Sequence, residues 1–212
     1  MKHRALDKIP GKTFFVGDIH GHHDELIRQL VQKNFDHKID RVIATGDIID
    51  KGKHSLRSLK LLRQPWFYST LGNHEDMLLD EHARGYTQNP WFNELDFDAQ
   101  ENAISLIHAG MPLTYTVTLR DNRRIGIVHG HPPVHEHTVD WDSAQRKSAE
   151  ELIWKRAKLG TVPKKIKGVD AVVFGHNNVS RITSYFKTLC IDTIAAGELT
   201  VLRAEEALDL ID

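Results

Sequence analysis

The sequence predicts an α/β fold in which helices cover a layered sheet core, and three observations predict it. Short runs of β-branched and aromatic residues recur along the chain and end in glycine, as buried strands do. Apolar residues at helical spacing lie between those runs. The two patterns alternate, as expected of helices packed on a sheet.

The first run, Thr13-Phe14-Phe15-Val16, precedes Gly17 and reads as a strand, and residues 24–33 follow with Leu26, Leu30 and Val31 at helical spacing. Arg41-Val42-Ile43-Ala44-Thr45 is the second strand, leading into Gly46, and residues 55–62 repeat Leu56, Leu59 and Leu62 as a helix. Phe67-Tyr68-Ser69-Thr70-Leu71 leads into Gly72-Asn73-His74-Glu75, after which residues 75–84 carry Met77, Leu78 and Leu79. Residues 85–122 break the rhythm with Gly85, Asn89-Pro90 and Trp91-Phe92, then a helical pattern around residues 99–108. A connection this long is expected to be an inserted cap beside a functional site. Arg124-Ile125-Gly126-Ile127-Val128 before His129 and Ala171-Val172-Val173-Phe174 before Gly175 complete the strand series.

Composition narrows the classes. The chain of 212 residues is long enough for one sizeable core, and residues 1–212 read as a single domain. With 28 Lys+Arg against 29 Asp+Glu, no broad basic face is advertised for nucleic acid or an acidic membrane surface. No run approaches the roughly 18 apolar residues of a membrane span, and no signal-peptide stretch follows Met1. Cys190 is the one cysteine, which excludes an internal disulfide and makes a reducing cytoplasm the simplest home. A monomer is the plain expectation.

Each strand delivers polar residues at its C-terminal end: Asp18 and His20, Asp47 and Asp50, Asn73 and His74, His129, and His176. Carboxylate oxygens, an amide oxygen and imidazole nitrogens make a mixed O/N donor set suited to Mn, Fe or Zn. The expectation is that one edge of one sheet gathers them all. Gly17, Gly46, Gly72 and Gly175 fit tight exits from strands near a crowded site, although ordinary turn chemistry also uses glycine.

The motifs Gly17-Asp18-Ile19-His20-Gly21, Gly46-Asp47-Ile48-Ile49-Asp50-Lys51-Gly52 and Gly72-Asn73-His74-Glu75 resemble those of the phosphoprotein phosphatase family of metallophosphoesterases. The similarity to the compact bacterial and phage serine/threonine phosphatases continues through Leu152-Ile153-Trp154-Lys155-Arg156, Phe174-Gly175-His176 and Ile191-Asp192-Thr193. The resemblance implies a β-sandwich flanked by helices, with the cap inserted at residues 85–122. It further implies two divalent ions, Mn first, with Fe or Zn as alternatives. Asp18 and His20 would bind the first, Asn73, His129 and His176 the second, and Asp47 both. A hydroxide bridging the ions would attack the phosphorus of a phosphoserine, phosphothreonine or phosphotyrosine in a phosphoprotein or phosphopeptide. His74 would act as general acid with Asp50 fixing its tautomer, and Arg156, Lys51 and Asn73 would bind the phosphate.

The chain departs from that family at several points. Lys51 stands where the family has arginine, and lysine loses the planar fork that grips two oxygens. Asn177 replaces the usual threonine, Ile194 a usual glycine, and Gly130-His131-Pro132-Pro133 is an unusual sequel to His129. Two other functions share parts of this pattern: a diadenosine tetraphosphate hydrolase, against which Asp50 argues, and a phosphate-sensing module with weak catalysis. His131, His135 and His137 are read as solvated loop residues rather than a third metal site. Trp91 and Phe92 are read as the cap's own small core rather than a substrate lip, and Cys190 as part of a buried strand.

Overall fold

In the computed structural model, residues 2–135, 138–158 and 165–211 are described. The strands, in chain order, are β1 (His3–Leu6), β2 (Thr13–Val16), β3 (Arg41–Ala44), β4 (Phe67–Ser69), β5 (Thr114–Thr118), β6 (Arg124–Val128), β7 (Val134–His135), β8 (Thr138–Asp140), β9 (Lys165–Lys167), β10 (Ala171–Phe174), β11 (Thr183–Tyr185), β12 (Thr188–Cys190) and β13 (Val201–Arg203). Between them run α1 (His23–Gln32), α2 (Ser55–Lys60), α3 (Asn73–Ala83), α4 (Pro90–Asn93), α5 (Phe97–Gly110) and α6 (Ala204–Asp209). Among the described residues the main strands form two sheets, ordered β13-β2-β3-β4 and β1-β5-β6-β10-β12-β11, with β7-β8-β9 as a small third.

Period-two alternation explains why the two sheets face each other. Phe15 of β2 and Ile43 of β3 meet Tyr115, Val117, Ile125, Ile127, Val173 and Leu189 of the six-stranded sheet in one buried cluster, the interior of the sandwich. Their neighbours Phe14, Val16, Val42 and Ala44 turn outward to Leu26 and Leu30 of α1 and Leu59 of α2. Both faces of β2 and β3 are therefore apolar, which is why their sequences read as unbroken runs. The expected α/β sandwich flanked by helices is the fold observed.

Element boundaries shift where local chemistry overrides the pattern. The helix expected over residues 55–62 ends at Lys60 and tightens into a 3-10 turn, Leu61–Arg63. α3 begins at Asn73, two residues before the apolar pattern, because the Glu75 side chain caps the N–H of Gly72. Val31, placed on the apolar face of α1 by spacing, is 71% exposed, since Leu26 and Leu30 already fill the contact.

The stretch 85–122 is not one cap. Its first part is helical: Asp96 accepts from the N–H of Ala99 to start α5, whose Ala103, Ile104 and Ile107 pack inward. Its last part is β5, which lies between β1 and β6 and sends Tyr115 and Val117 into the sandwich. The insertion proper thus ends by Gly110, and the alternation in Thr114-Tyr115-Thr116-Val117-Thr118 is the strand signal that marks its limit. Among the described residues no helix is long and apolar enough to cross a membrane.

Candidate active site

The strand-end residues converge, but from two sheets rather than one. Asp18 and His20 follow β2, Asp47 and Asp50 follow β3, and Asn73 and His74 open α3 after β4, all on the four-stranded sheet. His129 follows β6 and His176 follows β10, both on the six-stranded sheet. The expectation of a single sheet edge fails because alternation shows that a strand is buried without showing which sheet it joins.

The loops are tightly bent. His20, Asp47, Asp50, Lys51 and His176 all have left-handed backbone, with φ of 44°, 48°, 68°, 61° and 62°. Each such residue costs on the order of 1 kcal/mol or more, a strain that collects at functional sites. At Gly46, with φ 102°, an added Cβ would lie 2.9 Å from His129 Nδ1, and at Gly72 it would lie 2.1 Å from Asp47 Oδ1. Glycine here lets backbone pass beside the donor atoms.

Backbone carbonyls aim the imidazoles. His20 Nδ1–H donates to Ile49 O at 3.0 Å and His129 Nδ1–H to Thr45 O at 2.8 Å, leaving each Nε2 with its lone pair. Those nitrogens lie 3.6 Å from Asp47 Oδ2 and 3.4 Å from Asp47 Oδ1 respectively. His176 is turned over: Nε2–H donates to Trp154 O at 3.1 Å, which frees Nδ1. Burial pushes both His20 and His176 down to about 4, so they stand neutral, the form that ligates.

A cation fits this set. Asn73 Oδ1 faces the His129 Nε2 lone pair at 3.1 Å, two acceptors that a shared positive ion would reconcile. His20, Asp47 and His74 form one group with donor atoms all within 4.8 Å, and Asp47, His129 and His176 form another. Asp47 belongs to both. Burial opposes its charge, but His129, His74 and His20 outweigh burial and hold the carboxyl below its ordinary value.

Asp18 is drawn aside from these two groups. It accepts from Thr45 Oγ1 at 3.0 Å and from the His176 backbone N–H at 3.2 Å, and Asp192 lies against it. Burial raises the Asp18 carboxyl well above its ordinary value, with Asp192 and Asp47 adding to it. Burial raises Asp192 too, and its Oδ1 is buried without a hydrogen-bond partner. Two carboxyls packed this closely share a proton or face a cation.

His74 differs from the other imidazoles. Its Nδ1–H donates to Asp50 Oδ2 at 2.7 Å, and its Nε2 is 3.9 Å from Asp47 Oδ2. Burial works against its charge, but the Asp50 hydrogen bond and the Asp47 and Asp50 charges prevail and raise its pKa. Lys51, expected on the phosphate, turns its ammonium to His20 Nε2 at 2.6 Å instead. Arg156 is exposed on the rim, where its charge reaches His176.

Several residues that shape the site went unassigned in the sequence. Glu75 is fully buried and accepts four backbone N–H groups, from Asp47, Ile48, Ile49 and Gly72, so it ties the β3 and β4 loops together. Its signal was the acid three residues after the glycine at a helix start. Asp192 repeats the pattern of acid after apolar strand. Asn177 pairs both ways with Ala157, accepting from its N–H at 3.0 Å and donating to its carbonyl at 2.8 Å, and so holds the residue beside Arg156.

Trp91 and Phe92 divide between two roles. Phe92 is fully buried, as a small core requires, but Trp91 Nε1–H reaches out to Asp50 Oδ1 at 2.7 Å. Half-buried His131 bonds Pro132 O, away from both donor groups, and His137 lies outside the described residues. Cys190 is buried in β12, where burial pushes its thiol up to about 12, which suits a packing residue and not a redox site.

A sandwich whose two sheets bring O/N donors together around a shared aspartate is the arrangement expected of a metallophosphoesterase, a hydrolase of phosphate esters that uses divalent metals. Residues 11–180 match the calcineurin-like phosphoesterase family, and the chain belongs to it. The chain is 34% identical over 189 residues to "Serine/threonine-protein phosphatase 2" of Escherichia coli (strain K12), covering 84% of this chain and 85% of that one. It is 42% identical over 79 residues, 36% of this chain and 27% of the other, to "Bis(5'-nucleosyl)-tetraphosphatase, symmetrical" of Yersinia pestis (strain Pestoides F). A crystal structure of a candidate diadenosine tetraphosphatase superposes with a TM-score of 0.66 at 19% identity, covering 95% of this chain and 97% of that one, a likeness of fold alone.

Proposed function

We propose that the chain is a protein phosphatase that hydrolyses phosphoserine and phosphothreonine monoesters, with phosphotyrosine as a further substrate. The observation that carries this reading is the contact of Asp50 Oδ2 with His74 Nδ1 at 2.7 Å. A serine or threonine alkoxide leaves poorly unless it is protonated, and a positioned acid contributes about 10²–10⁴-fold. A pyrophosphate linkage has less need of that proton. Resemblance over most of the chain to a relative named as a serine/threonine phosphatase supports the same substrate class.

In this reading Asp18 and His20 would hold one ion, Asn73, His129 and His176 the other, and Asp47 would serve both, with Mn the first choice and Fe or Zn compatible with the donors. When bound, the ions supply Lewis acidity toward the phosphoryl oxygens and activate a water for in-line attack. The chain's own residues then complete the exchange. A P–O bond forms to water as the ester P–O bond breaks, the His74 Nε2 proton goes to the departing oxygen, and the proton shed by the water restores the imidazolium, giving phosphate and a free hydroxyl. Asp50 keeps Nδ1–H pinned so that Nε2 faces the ester. Arg156 at the rim, with Asn73, binds the phosphate before and after transfer, and Lys51 joins them only by leaving His20 Nε2.

The test is hydrolysis by metal-stripped protein reloaded with Mn, Fe or Zn, comparing a phosphothreonine peptide with diadenosine tetraphosphate. A higher kcat/KM on the peptide is expected. Cleavage of the dinucleotide alone would overturn the proposal in favour of the nucleotide reading.

A further inference from the structure

Asp50 has two carboxylate oxygens, and His74 uses only one. Oδ2 accepts from His74 Nδ1–H at 2.7 Å, while Oδ1 accepts from Trp91 Nε1–H, also at 2.7 Å. With its amide nitrogen turned inward, Asn89 adds donors at 2.7 Å to Oδ1 and 3.3 Å to Oδ2. The Asp50 backbone N–H is itself fixed, donating to Ser55 Oγ at 2.9 Å.

The indole that makes this contact is anchored. Trp91 packs edge-on against Phe92 at 5.6 Å and 87°, and the buried Phe92 packs edge-on against His82 at 5.8 Å and 77°. His82 lies in the last turn of α3, the helix whose first turn carries His74. The insertion therefore touches both ends of the acid pair, one through the Asp50 carboxylate and the other through the helix that presents His74.

We propose that Asn89 and Trp91 are positioning residues that clamp the Asp50 carboxylate so that it locks His74 for proton donation. The idea rests on the phosphatase reading above. Its chemistry is simple: a carboxylate bonded through one oxygen can rotate, and the imidazole follows it. An indole N–H only donates, so it holds Oδ1 as an acceptor in a fixed plane. Helix α4 thus has a reason to sit over the β3 loop beyond filling space.

The experiment compares two leaving groups. Nitrophenolate leaves without a proton, whereas the alkoxide of phosphothreonine does not. Trp91→Phe keeps the ring packing and removes the N–H; it should cut kcat on a phosphothreonine peptide about tenfold, part of a general acid's contribution, and kcat on 4-nitrophenyl phosphate by less than about threefold. Asn89→Ala should act in the same direction more weakly, and it stands in if Trp91→Phe does not fold. In an Asp50→Asn background neither change should widen the difference between substrates further, because the clamped carboxylate is gone.

A separate readout needs no activity. Of the four tryptophan indole N–H signals in a proton–nitrogen spectrum, Trp91→Phe removes one, and Asp50→Asn should shift that same signal upfield. Equal losses on both substrates, or an indole signal that ignores Asp50→Asn, would overturn the clamp. Wild-type protein that hydrolyses neither substrate, with the indole shift present, would instead remove the phosphatase reading and with it the catalytic purpose of the clamp.

Discussion

Glu75 offers a perturbation whose size can be worked from its contacts. Oε1 accepts from Ile48 N–H at 2.8 Å and Ile49 N–H at 3.2 Å, and Oε2 from Asp47 N–H at 3.0 Å and Gly72 N–H at 2.9 Å. Glu75→Gln keeps the shape but turns one oxygen into an NH₂. Whichever way the amide sits, two buried N–H groups then face a donor. An unsatisfied buried donor costs about 1–3 kcal/mol, so the loss is about 2–6 kcal/mol. For a chain of this size 1 kcal/mol moves Tm by about 2–4 °C, which puts the expected drop on the order of 10 °C. Calorimetry on metal-stripped wild type and Glu75→Gln reads this directly in a buffer alkaline enough to ionise the Glu75 carboxyl. Burial and the Asp47 carboxylate push Glu75 up to about 8, while the backbone donors on its oxygens pull the other way. A Tm unchanged within about 2 °C in that buffer would show that the ionised carboxylate does not hold the four N–H groups, and the four-donor argument would fall.

Three further outcomes follow from the site. Asn177→Ala releases the paired bonds to Ala157, and KM for a phosphopeptide should rise several-fold, about 3–10, with a smaller change in kcat, because Arg156 binds in ground and transition state alike; an unchanged KM would detach Asn177 from Arg156. Lys51→Arg restores a planar fork, so inhibition by inorganic phosphate should tighten about 2–5-fold, and no tightening would leave Lys51 as a partner of His20 alone. Asp18 is held above its ordinary value by burial, Asp192 and Asp47, so a cation bound there competes with protons more than at an ordinary carboxylate. Mn binding should therefore release protons, and apparent affinity should weaken as pH falls through the range where that carboxyl holds its proton. Titration calorimetry in buffers of different ionisation enthalpy measures the release, and identical heats in all buffers would contradict it.

Most of the framework was legible because burial on both faces writes itself as unbroken apolar runs. Thr13-Phe14-Phe15-Val16 and Ala171-Val172-Val173-Phe174 became strands at those limits, since each is closed by a glycine that must leave the sheet. The donors were legible for the same reason: an acid or histidine after such a strand has one place to go. What stayed hidden depends on contacts across sequence distance. That β2 and β6 lie in different sheets is decided by Phe15 and Ile127 joining one buried cluster between them, which no local pattern encodes. β5 is hard to separate from the helical insertion before it because its threonines and the preceding loop blur a strand whose Tyr115 and Val117 face the core. Trp91 was indistinguishable from core because an indole can pack and donate at once, and only the 2.7 Å contact to Asp50 separates those uses.

Whether His74 protonates the leaving group at a two-metal site is read from turnover of a phosphothreonine peptide by Mn-loaded wild type and His74→Asn. The substitution should lower kcat about 10²–10⁴-fold while each protein still binds two Mn ions. Turnover by His74→Asn equal to wild type, at the same metal content, would contradict it.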